Sequence, residues 1–520
     1  MTDRSTVVVI GAGFSGVLTA LRLLLSPDGP DVRLIERGSR FARGAAYSTG
    51  SPHHLLNVRA TNMSAFVEQP AHFLEWLGAT DAGAEVFVTR DQYGQYLQSL
   101  LREATSGVDS HRLVLEHDDA RTLERRGDRW AISLGVGKVL LADAVVLAIG
   151  NLPPRAPDVA DPEVIASKRY VAQPWAWAGP NLAPPGDVLL LGSGLTAVDV
   201  ALSVVAARPD AKITALSRHG LLPRDHAAHI GAVGEARRVA VAPPLGSPLA
   251  MLRQLRRQSN VDWRAAFDDL RPHVQGLWRR WSVAERRQFV RHLKPWWDVH
   301  RHRMAPQVAA RIETLQETGG LRVEAGRLVN LRSHRDGVEA SWTGRHSGGI
   351  EMRRFDLVVN CTGPRGDLER SADPLIENLF NGGLVRADVC RLGIDVDTRS
   401  RVLGAGGEAT PDLFAVGPIS QGQYCESSSV PDIRVQAAEC AEAIINAIAV
   451  RSRPAGSSTT SPARVIDELS TLLKGTIAEI DVELAALKYT GRVRNAWQLR
   501  GRRAAMGEIA LWLDERRSRT

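Results

Sequence analysis

Val7-Val8-Val9-Ile10-Gly11-Ala12-Gly13-Phe14-Ser15-Gly16 is the stretch that decides the fold. Four apolar residues run straight into G-x-G-x-x-G, which predicts a buried strand, a tight turn and the start of a helix. Val17 to Leu25 continues that helix, with Leu18, Leu21 and Leu25 at helical spacing. Gly11 permits the turn, Gly13 lets the backbone approach a pyrophosphate, and Gly16 lets the helix pack close to the strand. Phe14 and Ser15 occupy the helix start, where free N–H groups and the positive end of the helix dipole face phosphates. Asp31-Val32-Arg33-Leu34-Ile35 predicts the second strand, which ends at Glu36-Arg37. Glu36 falls 20 residues after Gly16, where an acid accepts both ribose hydroxyls. Its charge would repel a 2′-phosphate, so FAD or NAD fits this turn better than NADP. The alternative is a tight glycine turn in an ordinary α/β core.

A second turn of the same kind is Val188-Leu189-Leu190-Leu191-Gly192-Ser193-Gly194-Leu195-Thr196-Ala197. Ala197 takes the third small position, and Val198, Leu202 and Val205 continue an apolar helical face. The following strand, Ile213-Thr214-Ala215-Leu216, ends in Ser217-Arg218-His219 rather than in an acid. A cation there suits the 2′-phosphate of NADP. Two turns in one chain predict two dinucleotides, FAD in the first and NADPH in the second. The plain alternative for Arg218 is a solvated side chain at a strand end.

The fold class is therefore α/β, with two Rossmann-like dinucleotide-binding domains, a helical insertion and a C-terminal helical tail. Residues 1–155 and 355–450 are assigned to a discontinuous FAD-binding domain. Residues 186–354 are assigned to an NADP-binding domain, interrupted at about 246–316 by the insertion. Return strands are predicted at Ala144–Ile149, ending in Gly150, and at Phe355–Asn360, ending in Cys361-Thr362-Gly363. Residues 156–185, rich in Pro, Trp and Ala, read as a linker. The insertion carries Trp263, Trp278, Trp281, Trp296 and Trp297 among many arginines. Such a mixture can stack nucleic-acid bases, but a packed core with a charged outer face is the favoured reading. Residues 451–462 form a linker. Ile466, Leu469, Leu473, Ile477, Ile480, Leu484 and Leu487 then mark an amphipathic helix in the 451–520 tail. It suits packing on the body or joining copies of the chain into a homo-oligomer.

A chain of 520 residues with net charge +7 can bury two or three domain cores. The positive charge fits anionic cofactors as well as it fits nucleic acid, and no nucleic-acid partner is expected. No run approaches the roughly 20 apolar residues of a membrane helix, and Met1 leads almost directly into the first strand, so a cytoplasmic location without membrane attachment is expected. The four cysteines, Cys361, Cys390, Cys425 and Cys440, form neither C-x-x-C nor a zinc pattern. No metal is expected.

Chemistry is expected in three loops. Arg43 to Ser64 follows the ribose-binding acid and mixes small and polar residues, placing Asn57 and Ser64 near the flavin ring as the catalytic candidates. His53-His54 in the same loop are read as surface or supporting groups. Arg301 and Arg303, beside Trp296-Trp297, are substrate candidates for an anionic group; an Arg–Asp network tying the insertion down is the alternative. Near the end, Asp412–Val416 predicts a strand ending in Gly417. Pro431-Asp432 opens a helix whose N-terminus suits reduced flavin. Glu426 precedes it as a third substrate candidate, or as a solvated acid. Cofactor contacts are thus expected from Gly11, Gly13, Phe14, Ser15, Gly16, Glu36, Arg37, Asn57, Gly150, Gly192, Ser193, Gly194, Thr196, Arg218, Gly363 and Gly417.

Together the glycine turns, Gly44-Ala45-Ala46-Tyr47-Ser48, Leu55-Leu56-Asn57-Val58 with Met63-Ser64, Tyr93-Gly94-Gln95-Tyr96-Leu97, Arg301-His302-Arg303-Met304-Ala305-Pro306 and Val430-Pro431-Asp432-Ile433-Arg434 resemble the two-dinucleotide FAD/NAD(P)-binding family. That family is distantly related to the class B flavin monooxygenases and N-hydroxylases. The resemblance spans about residues 5–447. It implies an NADPH-using monooxygenase that hydroxylates a nitrogen or carbon of a small polar substrate with oxygen, through a flavin C4a-hydroperoxide. The F-x-G-x-x-x-H-x-x-x-W/P fingerprint of Baeyer–Villiger-type enzymes is missing. Arg169-Tyr170-Val171-Ala172-Gln173-Pro174-Trp175 stands in its place, which argues against lactone formation but not against oxygenation. A reductase feeding a partner protein, and a flavin-binding regulatory or scaffold protein, are the alternatives.

Overall fold

The computed structural model describes residues 4–79, 85–107, 110–176, 186–227, 247–257, 263–364, 366–451 and 477. The chain divides into two compact units, Met1–Ile448 and Ala449–Thr520. The tail linker and amphipathic helix fall almost wholly outside the described residues.

In chain order the first part supplies β1 (Thr6–Ile10), β2 (Asp31–Glu36), β3 (Leu113–His117), β4 (Ala120–Arg126), β5 (Arg129–Leu134), β6 (Val139–Ala142) and β7 (Ala144–Leu147). The middle supplies β8 (Tyr170–Val171), β9 (Val188–Leu191), β10 (Ile213–Ser217), β11 (Leu321–His334), β12 (Gly337–Gly344), β13 (Ile350–Phe355) and β14 (Leu357–Asn360). The last two are β15 (Arg401–Leu403) and β16 (Ala409–Ala415). One sheet runs β15-β16-β7-β1-β2-β3 and another β13-β12-β11-β10-β9-β14-β8. Each contains five parallel strands, four of them in the same relative order (β3-β2-β1-β7 and β11-β10-β9-β14), with the glycine turn after the central one; the fifth is the late β16 in one sheet and the early β8 in the other. The turn thus opens where neighbouring connections diverge to opposite sides of the sheet, the crevice in which open α/β sheets bind ligands.

Parallel sheets covered on both faces need nearly unbroken apolar strands. Val7, Val8 and Val9 are accordingly inaccessible to solvent. Val7 and Val9 face the helices Phe14–Leu24, Arg90–Ser106 and Val430–Arg451. Val8 and Val145 face the small antiparallel sheet β4-β5-β6 and the helix Pro374–Asn381. The second sheet buries Val188 and Leu190 under the helices Leu195–Ala207 and Pro306–Glu317. The helix Arg90–Ser106 starts at a reciprocal capping box between Thr89 and Gln92. Thr89→Ala should therefore cost about 1 kcal/mol, read as a lower denaturation midpoint with an unchanged slope.

The structure moves several boundaries. The first helix ends at Leu24, and Leu25 is exposed; its inner face is completed by Val17 and Leu23 instead. The segment read as a linker contributes β8, which pairs with β14 at the edge of the second sheet. That sheet runs to Asn360, beyond the expected boundary at 354, because β14 pairs with β9. The insertion is helical, with helices Pro248–Arg257, Trp263–Leu270, Val274–Arg280, Val283–Gln288 and Lys294–Arg301. Its core joins Trp278, Trp281, Phe289 and Trp297 to Leu392 and Cys425 of the 355–450 segment. The helix Pro306–Glu317 packs on the second sheet through Val308 and Ile312, so the insertion ends before it. Among the described residues, no helix is long and apolar enough to cross a membrane.

Candidate active site

The first glycine turn is held by a hydrogen bond from Gly11 N–H to Ile35 O at 2.9 Å. Gly11 has φ +98°, and a Cβ there would strike the Ala148 carbonyl, so the turn lies hard against the end of β7. The helix that follows has no side-chain cap. By contrast, Thr89, Ser282 and Asp373 cap the helices they precede. The first N–H groups of Phe14–Leu24 are therefore left for an outside acceptor. The turn that precedes them lines a cavity of about 360 Å³, together with Glu36, Arg37, Gly44 and Gly150, among others. Glu36 accepts from Ala12 N–H at 2.9 Å and from Gly38 N–H at 2.7 Å. These bonds fix its carboxylate at the cavity edge with acceptor capacity to spare for hydroxyls. Asp118 and Asp119 also line the cavity, so this end is acidic. The shape and donors fit an FAD adenosine diphosphate, and the acids disfavour a 2′-phosphate.

Not every expected contact has a free side chain. Arg37 lines the cavity but pairs with Asp373 at 2.7 Å. Phe14 packs against Tyr47 and Tyr93 in the core. Ser15 is buried against Gly417, where a Cβ would collide with the Ser15 hydroxyl. Gly16 has no room for a side chain against Gly11. Gly417 N–H donates to Gln436 Oε1 at 3.0 Å, and Gln436 Nε2 donates to Ser420 Oγ at 2.9 Å. Gln436, which the sequence did not single out, thus fixes the loop after β16. Arg43 was also missed. It is buried beside Gly94, bonded to Asp91 and to Gln98, and lines the cavity.

The second turn repeats the first. Gly192 N–H donates to Leu216 O at 2.7 Å, and at φ +110° its Cβ would strike the Cys361 carbonyl. The helix Leu195–Ala207 is likewise uncapped, and Gly194 and Gly363 face open space. Thr196 is half-buried in the first turn. The Ser193 hydroxyl is engaged internally, 2.8 Å from Ser217 Oγ and 2.5 Å from Leu221 O. Arg218 is exposed at the end of β10.

The loop after β2 bridges the two sheets. His54 Nδ1 lies 2.8 Å from Thr49 Oγ1, while Nε2 lies 3.0 Å from Asp199 O and 2.7 Å from Ser203 Oγ. These partners suit a neutral ring with its proton on Nε2. Burial depresses the His54 pKa, outweighing Asp199. Arg90 reaches the Asp199 carboxylate at 3.1 Å, and burial still raises the pKa of that acid. His53 meets Arg311 at 2.9 Å. Both histidines, expected at the surface or in support, therefore join the halves. Asn57 is half-buried; its carbonyl accepts from His226 Nε2 at 3.0 Å, and its amide makes no hydrogen bond among the described residues. Ser64 is different. Its buried hydroxyl donates to Gln69 O at 2.6 Å and accepts from Phe66 N–H at 3.2 Å, so its own loop consumes it.

The substrate candidates separate. Arg301 and Glu426 form a buried ion pair at 2.8 Å, and Trp297 Nε1 donates to Glu426 at 3.3 Å. Burial opposes the charge on Glu426, but Arg301, His302 and Arg271 together hold its pKa below the usual value. Glu426 is thus not a solvated loop acid. The adjoining cavity is only about 30 Å³, lined by Lys294, His302 and Glu426 among others. Arg303 turns into the insertion, pairing with Asp268 at 3.0 Å and lying over Trp263. Among the described residues, no cluster of three metal-ligating side chains occurs.

Two Rossmann-type sheets, each with a glycine turn after its central strand, make up this architecture. Residues 8–152 match a family model described as FAD-NAD(P)-binding. The L-aspartate N-monooxygenase (nitrosuccinate-forming) of Streptomyces cremeus is 29% identical over a 245-position alignment covering 38% of this chain and 36% of that protein. The match thus spans little more than a third of the relative's length. Among solved structures, the FAD-bound cadaverine monooxygenase of Erwinia amylovora superposes with a TM-score of 0.60 at 12% identity, over 85% of this chain and 94% of that one. The reduced ornithine hydroxylase of Pseudomonas aeruginosa gives 0.57 at 15% identity, over 86% and 100%. At these identities the likeness is one of fold.

Proposed function

We propose that this chain is an FAD-dependent, NADPH-using monooxygenase that hydroxylates the nitrogen of a small polar amine or amino acid. The observation that carries the reading is the pair of uncapped glycine-turn helices in one compact unit, one beside an acidic strand end and the other beside an arginine. The partial match to an aspartate N-monooxygenase supports the choice of nitrogen. The balance is R–NH2 + O2 + NADPH + H⁺ giving R–NHOH + H2O + NADP⁺. When bound, FAD and NADPH supply the hydride transfer and oxygen activation.

The chain itself binds, orients and shields. Helix N–H groups after Gly13 and Gly194 hold the two pyrophosphates, and Glu36 accepts the FAD ribose hydroxyls. Gly150 and Gly363 let backbone approach the cofactors where a side chain would intrude, and Gly417 lets the loop after β16 close on Ser15. The amide of Asn57, without a partner among the described residues, would hydrogen-bond the reacting region. The Arg301–Glu426 pair either contacts the substrate or fastens the insertion over it. The four free cysteines fit a reducing, cytoplasmic setting. Oligomerisation through the tail helix remains part of the proposal.

The test is FAD-loaded protein with NADPH, oxygen and a panel including L-aspartate, L-ornithine and cadaverine. Hydroxylamine or further-oxidised product should form with one oxygen atom derived from O2. If NADPH oxidation ignores every amine and all electrons appear as hydrogen peroxide, the monooxygenase reading gives way to a reductase or oxidase.

A further inference from the structure

A group of cations lies at the end of β10. Arg218 is exposed there. Arg345, in the turn between β12 and β13, donates from Nη1 to the Arg218 carbonyl at 3.4 Å. The Arg345 backbone N–H donates to Ala325 O at 2.8 Å, which fixes the turn beside the strand end. Neither arginine meets an acid among the described residues. His219 stands beside them with a buried Nδ1 that has no hydrogen-bond partner. Burial, then Arg345 and Arg218, depress its pKa. Trp296, on the helix Lys294–Arg301, has its ring centroid 6.2 Å from that of His219 and is 46% exposed.

The Arg345 guanidinium is bonded to the Arg218 backbone and both arginine charges act on His219, so two cations with no acidic partner among the described residues share this strand end. A dianion bound there meets both positive charges and gains fork-like hydrogen bonds that a single arginine cannot supply. A large indole left nearly half exposed beside that charge is an open stacking face, and aromatic rings take up purines in this way whatever their sequence context. A phosphomonoester and a planar base side by side describe the adenosine 2′-phosphate end of one ligand. We propose that Arg345 shares the 2′-phosphate of NADPH with Arg218 and that the exposed face of Trp296 stacks its adenine. This rests on the reading of the second glycine turn as the NADPH site. It makes Arg345 a determinant of NADPH over NADH, contributed by a hairpin far along the chain from the glycine turn.

The test compares adenosine 2′,5′-bisphosphate with AMP, which differ only in the 2′-phosphate, by calorimetric titration of the FAD-loaded protein. Arg345→Ala should weaken the bisphosphate about 10- to 100-fold while leaving AMP within about twofold. Trp296→Leu should weaken both ligands by about tenfold, because the adenine is common to them. Both side chains are exposed, so neither variant disturbs a core, and steady-state KM for NADPH and NADH gives a second readout. Wild-type preference for the bisphosphate with an unchanged Arg345→Ala would overturn the role of Arg345 and leave the NADPH site intact. An unchanged Trp296→Leu would overturn the stacking. A wild-type protein that binds AMP as tightly as the bisphosphate would overturn the NADPH reading and this inference together.

Discussion

Gly11→Ala should purify without flavin, whereas Gly192→Ala should retain its flavin and lose reduction by NADPH by about a hundredfold. The two substitutions are chemically the same, and the local geometry is nearly so. Each residue has a strongly positive φ, and each Cβ would meet the carbonyl of a neighbouring strand end, Ala148 in one case and Cys361 in the other. An alanine forced into such a conformation costs about 1–3 kcal/mol. The collision must also be relieved by moving a strand end that lines the nucleotide crevice. The loss appears mainly in binding, because the strands themselves stay buried. Flavin-to-protein absorbance and anaerobic stopped-flow reduction separate the two sites. A normal flavin content in Gly11→Ala, or equal flavin loss in both variants, would contradict the assignment of one nucleotide to each turn.

Glu426→Ala should lower stability by about 3–5 kcal/mol, because it leaves Arg301 charged and buried without its partner. In a chain of this size that corresponds to a thermal midpoint lower by about 3–5 °C. The double variant Arg301→Met, Glu426→Leu should recover much of the loss, since apolar groups of similar volume replace buried ion pairs at little net cost. The pair also has a pH signature. The folded-state pKa of Glu426 is depressed. Its stabilisation is therefore present above the ordinary glutamate value and disappears as pH falls through the folded one. The stability gap between wild type and double variant should change only on the acid side. Activity decides the pair's role: a stable double variant that still hydroxylates makes it a fastening for the insertion. A stable but inactive one makes it a substrate contact. A Glu426→Ala protein as stable as wild type would show that the pair carries no structural weight.

The two glycine turns were legible because their signal is local. A short apolar strand, three small residues and a helical face lie within about twenty residues, and the backbone demands of Gly11 and Gly192 leave little choice of residue. The charge difference between Glu36 and Arg218 was legible for the same reason. What escaped depends on distance along the chain. β8 is a two-residue edge strand whose pairing with β14 leaves no periodicity in Tyr170-Val171. His54 looked like one of two unremarkable neighbours, because Asp199 and Ser203 approach it only after folding. Ser64 looked available because a sequence does not show that Gln69 O and Phe66 N–H take up a hydroxyl. Glu426 read equally well as a solvated acid until Arg301 and Trp297 were seen to enclose it.

The contact of His54 with Asp199 and Ser203 has an evolutionary cost. The helix Leu195–Ala207 begins at the nicotinamide turn and, two turns later, holds the loop that leads from the flavin ribose to Asn57. A change that retunes nucleotide choice by shifting this helix is therefore transmitted to the flavin side. Cofactor preference in this chain is easier to alter at solvent-facing strand ends such as that of β10 than along the helix itself.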